Sequence, residues 1–127
     1  MGIPTNLKYT KQHEWVRIKN NLAYIGITDH AQSSMGDIVF IELPKVGERF
    51  TSGQVFAVVE SVKAASDIYT SLSGTVKEVN KALLDEPERI NQSPYESWMM
   101  AIEPSEISEL DVLLDASAYE KLCLEEG

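Results

Sequence analysis

Cysteine is nearly absent: Cys123 is the only one in 127 residues. No disulfide can close within the chain, and neither a Cys-Cys zinc cluster nor a CxxC redox pair is available. A reducing compartment suits such a sequence. Histidine is almost as scarce, and the two present, His13 and His30, are well separated along the chain, which argues against a metal centre. Long apolar runs are missing too, none approaching the roughly 20 residues that span a bilayer. Residues 1–8 lack the apolar core of a signal peptide, and Asn6 stands where a myristoylation motif needs Ser or Thr. These absences predict a soluble protein, cytoplasmic in a bacterium or, alternatively, in the mitochondrial matrix after transit-peptide removal, with no membrane partner. Basic charge is also short. With 11 Lys and Arg against 20 Asp and Glu, the formal net charge is −9. The molecule should therefore repel nucleic acid and be drawn to basic protein surfaces. Gly26, Gly36, Gly47, Gly53 and Gly74 are scattered among turns and build no phosphate-binding loop.

What is present is enough for one core. A chain of this length, 43% hydrophobic, reads as a single domain over residues 1–127. Short β segments are expected at 14–18, 22–27, 38–43, 55–62, 67–72, 75–80 and 98–103, separated by turn-forming clusters such as Lys19-Asn20-Asn21, Ser52-Gly53 and Ser73-Gly74. No long helical pattern lies between them, so a small antiparallel barrel or sandwich is favoured over βαβ units. Thr28-Asp29 can cap a short helix ending near Gly36. At the C-terminus, Ser105 can cap a segment that places Ile107, Leu110 and Leu114 on one face. Asp115 or Ser117 can cap a second helix in which Tyr119, Leu122 and Cys123 share a face. Residues 81–97, with Pro87 and Pro94, read as an irregular surface loop.

The apolar β run Val55-Phe56-Ala57-Val58-Val59 turns polar at Glu60-Ser61, passes Val62-Lys63-Ala64-Ala65 and resumes β character after Ser66-Asp67. This pattern predicts a hairpin with Lys63 at or near its tip, its amine in water on a flexible stem and accessible to a modifying enzyme. A single surface lysine is more often an ordinary solvated charge. Nothing local suggests the desolvation that Schiff-base chemistry needs, so acylation suits Lys63 better than nucleophilic catalysis.

The segment Glu60-Ser61-Val62-Lys63-Ala64-Ala65-Ser66-Asp67, followed by Ser73-Gly74-Thr75-Val76, closely resembles the lipoylation region of the glycine cleavage H proteins. His13-Glu14-Trp15-Val16, Ile25-Gly26-Ile27-Thr28-Asp29-His30, Gly36-Asp37-Ile38-Val39-Phe40, Asn91, Pro94-Tyr95 and Tyr119-Glu120-Lys121-Leu122 continue the resemblance in one register from about Leu7 to Leu122. It implies a mainly β fold, a flattened antiparallel β-barrel or sandwich of the lipoyl/biotinyl carrier type with short added helices. It implies lipoate in amide linkage on Lys63 and a monomeric, non-catalytic lipoyl carrier with three enzyme partners. Pyridoxal-phosphate glycine decarboxylase would load the aminomethyl group of glycine, tetrahydrofolate aminomethyltransferase would unload it, and dihydrolipoamide dehydrogenase would reoxidise the arm. A lipoate ligase or octanoyl transferase would attach the cofactor. Ser97 departs from the family, which commonly has Gly before the Trp, and Ser33-Ser34-Met35 is a variable patch.

Further candidates carry weaker signals. Glu60 and Asp67 bracket the lysine and could face each other across the hairpin, guide the ligase or shelter the arm, although acids near a turn are more often solubilising charges. The resemblance favours Asp67 and Glu14 in sheltering an aminomethylated arm, since a carboxylate pairs with a protonated amine. His30 could dock the arm or move protons, yet it stands beside Asp29 at a helix start and reads more simply as a surface residue. His13 reads as architectural, and Cys123, near a helix C-terminus with Glu125 and Glu126 after it, as a poor nucleophile. Two alternative functions remain at this stage: a lipoyl relay that donates lipoate to other complexes, and a biotinyl carrier. Biotinyl hairpins typically flank the lysine with Met, whereas Lys63 has Val62 and Ala64.

Overall fold

Asn20 and Asn21 adopt φ of 53° and 65°, the left-handed geometry that a two-residue hairpin turn requires. They join β2 (Glu14–Lys19) to β3 (Leu22–Ile27), which pair antiparallel from Glu14–Ile27 to Lys19–Leu22. The structure is a computed structural model and describes residues 2–126. Its remaining strands are β1 (Lys8–Tyr9), β4 (Ile38–Glu42), β5 (Arg49–Phe50), β6 (Val55–Ser61), β7 (Ala65–Tyr69), β8 (Gly74–Val79) and β9 (Met100–Pro104). All pairings are antiparallel. One sheet has the order β1-β2-β3-β9-β8-β5 and the other β4-β6-β7. The fold is therefore mainly β, with two separate sheets and no closed barrel.

Between the sheets lies the main core. Ala23, Ile25 and Ile27 alternate inward from β3 and meet Ile41, Ala57, Val59, Ile68 and Val76. Met100, Ala101 and Ile102 are all fully buried, as expected of a central strand covered on both faces. A second cluster, Leu7, Tyr9, Trp15 and Tyr119, covers the other face of the larger sheet. Trp15 stands opposite Gly26 in the β2–β3 register, and a Cβ at Gly26 would come within 2.6 Å of the indole. Glycine is what lets the ring lie flat over the neighbouring strand.

The helices supply caps and covers. Helix α1 (Asp29–Met35) starts at Thr28, whose Oγ1 accepts the N–H of Ala31 at 3.2 Å, and stops at Gly36, as expected. Residues 81–97 are more regular than expected: α2 (Ala82–Asp85) and α3 (Arg89–Gln92) are single turns. Helices this short are unstable alone. What holds them is the full burial of Leu83 and Ile90, about 1.5–3 kcal/mol each. Ser97 stabilises the same region, since its buried hydroxyl lies 3.0 Å from the carbonyl of Arg89 and 2.8 Å from that of Ser93.

The C-terminal segment departs from the expected helical face. Residues Ile107–Val112 form a 3-10 helix, Ile107 is exposed, and Leu114 instead bridges to Tyr9. With three residues per turn, Leu110 and Leu113 are the pair that reach the core. Helix α4 (Ala116–Glu126) follows, with Asp115 Oδ1 accepting the N–H of Ala118 at 2.8 Å. Its Tyr119, Leu122 and Cys123 join the second cluster, as their shared face predicts.

Candidate functional site

Strands β6 and β7 form a hairpin whose last paired residues are Glu60 and Ala65. Beyond them the turn is organised by Ser61. Its N–H donates to the carbonyl of Ala64 at 2.9 Å, and its Oγ accepts the N–H groups of Lys63 at 3.2 Å and Ala64 at 3.3 Å. Neither Val62 nor Lys63 has a positive φ, so the tip is not one of the mirror-image turns common in two-residue hairpins. The serine hydroxyl satisfies the turn instead. The N–H of Val62 donates to the carbonyl of Asp37 at 3.0 Å, which ties the tip to the start of β4. Val62, Lys63, Ala64 and Ala65 are exposed on this fixed base, with Lys63 at the tip as expected.

The Lys63 stem folds back over the end of α1. A Cβ at Gly36, where φ is +82°, would stand 3.4 Å from Lys63 Cε. Lys63 takes part in no ion pair among the described residues. Beneath it, Asn91 of α3 binds three segments together. Its Oδ1 accepts the N–H of Ile38 at 2.9 Å, and its Nδ2 donates to Gln32 Oε1 at 2.8 Å and to the Gly36 carbonyl at 2.9 Å. The end of α1, the start of β4 and α3 thus form one platform under the lysine.

Beside the lysine opens a cleft of about 510 Å³ walled by His13, His30, Ser34, Met35, Ser66 and Glu126. A second cavity of about 560 Å³ adjoins it, sharing His30 and Ser34 and reaching Tyr95, Tyr119 and Cys123. His30 and Lys63 therefore share one cleft. Glu60 and Asp67 do not face each other: Glu60 stands opposite Ala65 and Asp67 opposite Val58. They are diagonal neighbours on one face of the smaller sheet, and strand alternation turns Asp67 away from the face that presents Ser66 to the cleft. Glu14 is 2% exposed and is not on the cleft wall. Burial raises its pKa, partly offset by the Thr10 hydroxyl at 2.7 Å and the backbone of Tyr69.

Sequence reasoning gave His13 an architectural role and passed over Ser66 and the bonding of Asn91. His13 has φ +70° and its ring stacks on His30 with centroids 4.2 Å apart. No local pattern signals that contact, because it depends on how the turn before β2 packs against α1.

The Glycine cleavage H-protein family profile matches residues 7–126. The chain belongs to that family. Among similar proteins, the glycine cleavage system H protein of Geobacillus kaustophilus (strain HTA426) is 53% identical over 96% of this chain and 97% of that one. That of Carboxydothermus hydrogenoformans is 52% identical over 98% and 97%. A crystal structure of a glycine cleavage system H protein from Mycobacterium marinum superposes with a TM-score of 0.86 at 36% identity, covering 94% of this chain and 97% of that one. As a member of the glycine cleavage H-protein family, the chain is a non-catalytic lipoyl carrier in glycine cleavage.

Proposed function

We propose that Lys63 is the lipoyl attachment residue of this chain, and that residues 1–127 are a single carrier domain built to present it. The observation that carries this reading is the exposed, unpaired lysine at the tip of a hairpin whose turn is fixed by Ser61 and by the bond from Val62 to Asp37. The site suits a lipoyl group: the amine is open to a ligase, and a cleft of about 510 Å³ lies alongside with room for a short aliphatic arm. Once attached, lipoate supplies a dithiolane that takes up and releases a one-carbon amine unit and cycles between disulfide and dithiol. The protein's own part is to hold the tether and to raise the arm's local concentration at whichever enzyme is docked.

His30 is proposed to line the resting place of the arm, since it faces the cleft that Lys63 borders. Glu60 and Asp67, on the outer sheet face with Glu42, are proposed as recognition charges for the lipoate ligase or octanoyl transferase. Glycine decarboxylase, aminomethyltransferase and dihydrolipoamide dehydrogenase are the proposed further partners, drawn to a net charge of −9 by basic surfaces of their own. No helix among the described residues is long and apolar enough to cross a membrane.

Intact-mass measurement tests the attachment site. Incubated with lipoate, ATP and a lipoate ligase, the chain should gain one lipoyl group and Lys63→Arg none. Full modification of Lys63→Arg would transfer the role to another lysine.

A further inference from the structure

His13, His30 and Cys123, distant in sequence, converge at the junction of the two cavities. One ring nitrogen of each histidine and the Sγ of Cys123 lie within 4.8 Å of one another. We propose that these three side chains bind a single thiophilic divalent cation, with Zn²⁺ the best match. The donor set of two imidazoles and one thiolate is what zinc takes, and such sites complete their tetrahedron with a carboxylate or water.

Three further observations point to a ligand here. His30 Nδ1 is a buried nitrogen with no hydrogen-bond partner among the described residues, which costs free energy unless something binds it. His13, one of the three, holds left-handed backbone, φ +70°. Strained non-glycine backbone of this kind concentrates at functional sites. Glu126 lies 2.9 Å from His13 Nε2, so a carboxylate is at hand as a fourth ligand. The C-terminal end of α4 adds the negative pole of a helix, which repels a bare thiolate but favours a dication.

Binding requires the two imidazoles to unstack: their rings now lie 17° from parallel with centroids 4.2 Å apart, so one must turn before both nitrogen lone pairs can reach a single ion. Tetrahedral zinc, with Zn–N about 2.0 Å and Zn–S about 2.3 Å, holds its ligand atoms roughly 3.3–3.8 Å apart, so the side chains must draw in by about 1 Å. His13 now bonds Tyr119 Oη through Nδ1 at 2.7 Å and Glu126 through Nε2. Whichever nitrogen turns to the ion gives up one of these bonds, and the other keeps the ring oriented. The Cys123 thiol loses its proton to solvent as the S–Zn bond forms, with no change of oxidation state. The ion would join the turn before β2, α1 and α4 at the wall of the Lys63 cleft.

Co²⁺ added to the reduced, chelator-treated full chain reads the site without any variant. Expected are a thiolate-to-cobalt charge-transfer band in the near ultraviolet and visible d–d bands of tetrahedral intensity, saturating at one equivalent and abolished by Zn²⁺. Cys123→Ser should remove the charge-transfer band, and His30→Ala should weaken Zn²⁺ binding at least tenfold by calorimetry. Glu88→Gln, a remote surface change, should alter neither. Absence of a charge-transfer band from the unsubstituted chain would overturn the proposal, as would Zn²⁺ affinity unchanged in both site variants.

Discussion

Gly36 lies directly under Lys63: a Cβ there would stand 3.4 Å from the lysine Cε, on a residue with φ +82° and ψ −159°. That backbone region is all but restricted to glycine, so the residue that ends α1 also clears the floor beneath the lysine. Gly36→Ala is expected to cost about 1–3 kcal/mol of stability, read as a lower urea midpoint at unchanged slope. A variant as stable as the parent would show that this backbone conformation is not needed.

Asn91 is the shared anchor of α1, β4 and α3, and its three bonds lie just below the hairpin tip. Asn91→Ala is expected to lose about 2–3 kcal/mol, at about 1 kcal/mol for each bond. Hydrogen exchange should quicken first at Ile38 and Gly36 and then at Val62, whose N–H depends on the position of Asp37. Faster exchange confined to α3 would show that the platform does not extend to the hairpin.

The hairpin, β3 and α1 were legible in the sequence because each has a strong local cause: an apolar run broken by a polar turn, an apolar stretch following the Asn20-Asn21 turn, and a Thr28 cap with a Gly36 stop. Strands β1 and β5 were missed because two residues cannot display a period of two; pairing with β2 and β8 makes them strands. Prolines hid α2 and α3, which exist because Leu83 and Ile90 reach the core. The position of Lys63 at the hairpin tip could be read from its neighbours. The placing of Asp67 away from the cleft, and of His13 on His30, follows from sheet register and helix packing, which no single segment encodes.

Lys63→Arg should leave fold and thermal stability almost unchanged while abolishing support of glycine-dependent carbon dioxide release. An exposed hairpin side chain contributes little packing, so the stability change should stay within about 0.5 kcal/mol. Charge is kept, but a guanidinium stays protonated and cannot be acylated. Release at a rate near that of the parent would remove Lys63 from the carrier role.

Glu14 should give the stability curve an unusual slope. Burial raises its pKa above the ordinary 4.5, with the Thr10 hydroxyl and Tyr69 backbone only partly opposing this. The folded chain then keeps the Glu14 proton to a higher pH than the unfolded chain does. Between the two pKa values the native state binds more protons, so this group's contribution falls as pH rises from about 4.5 upward. Carboxylates held by ion pairs show the opposite slope. Glu14→Gln removes the titration while retaining an oxygen that can accept from Thr10. Its amide group brings a cost of its own in a buried site, but that cost does not vary with pH, so the slope carries the test. Measured by urea unfolding across a pH series, the variant should gain on the parent steadily from about pH 4.5 until the folded-state Glu14 has ionised, and then run parallel to it. A difference that stays constant across the series would mean that Glu14 titrates alike in both states, and that its burial leaves no mark on the carboxylate.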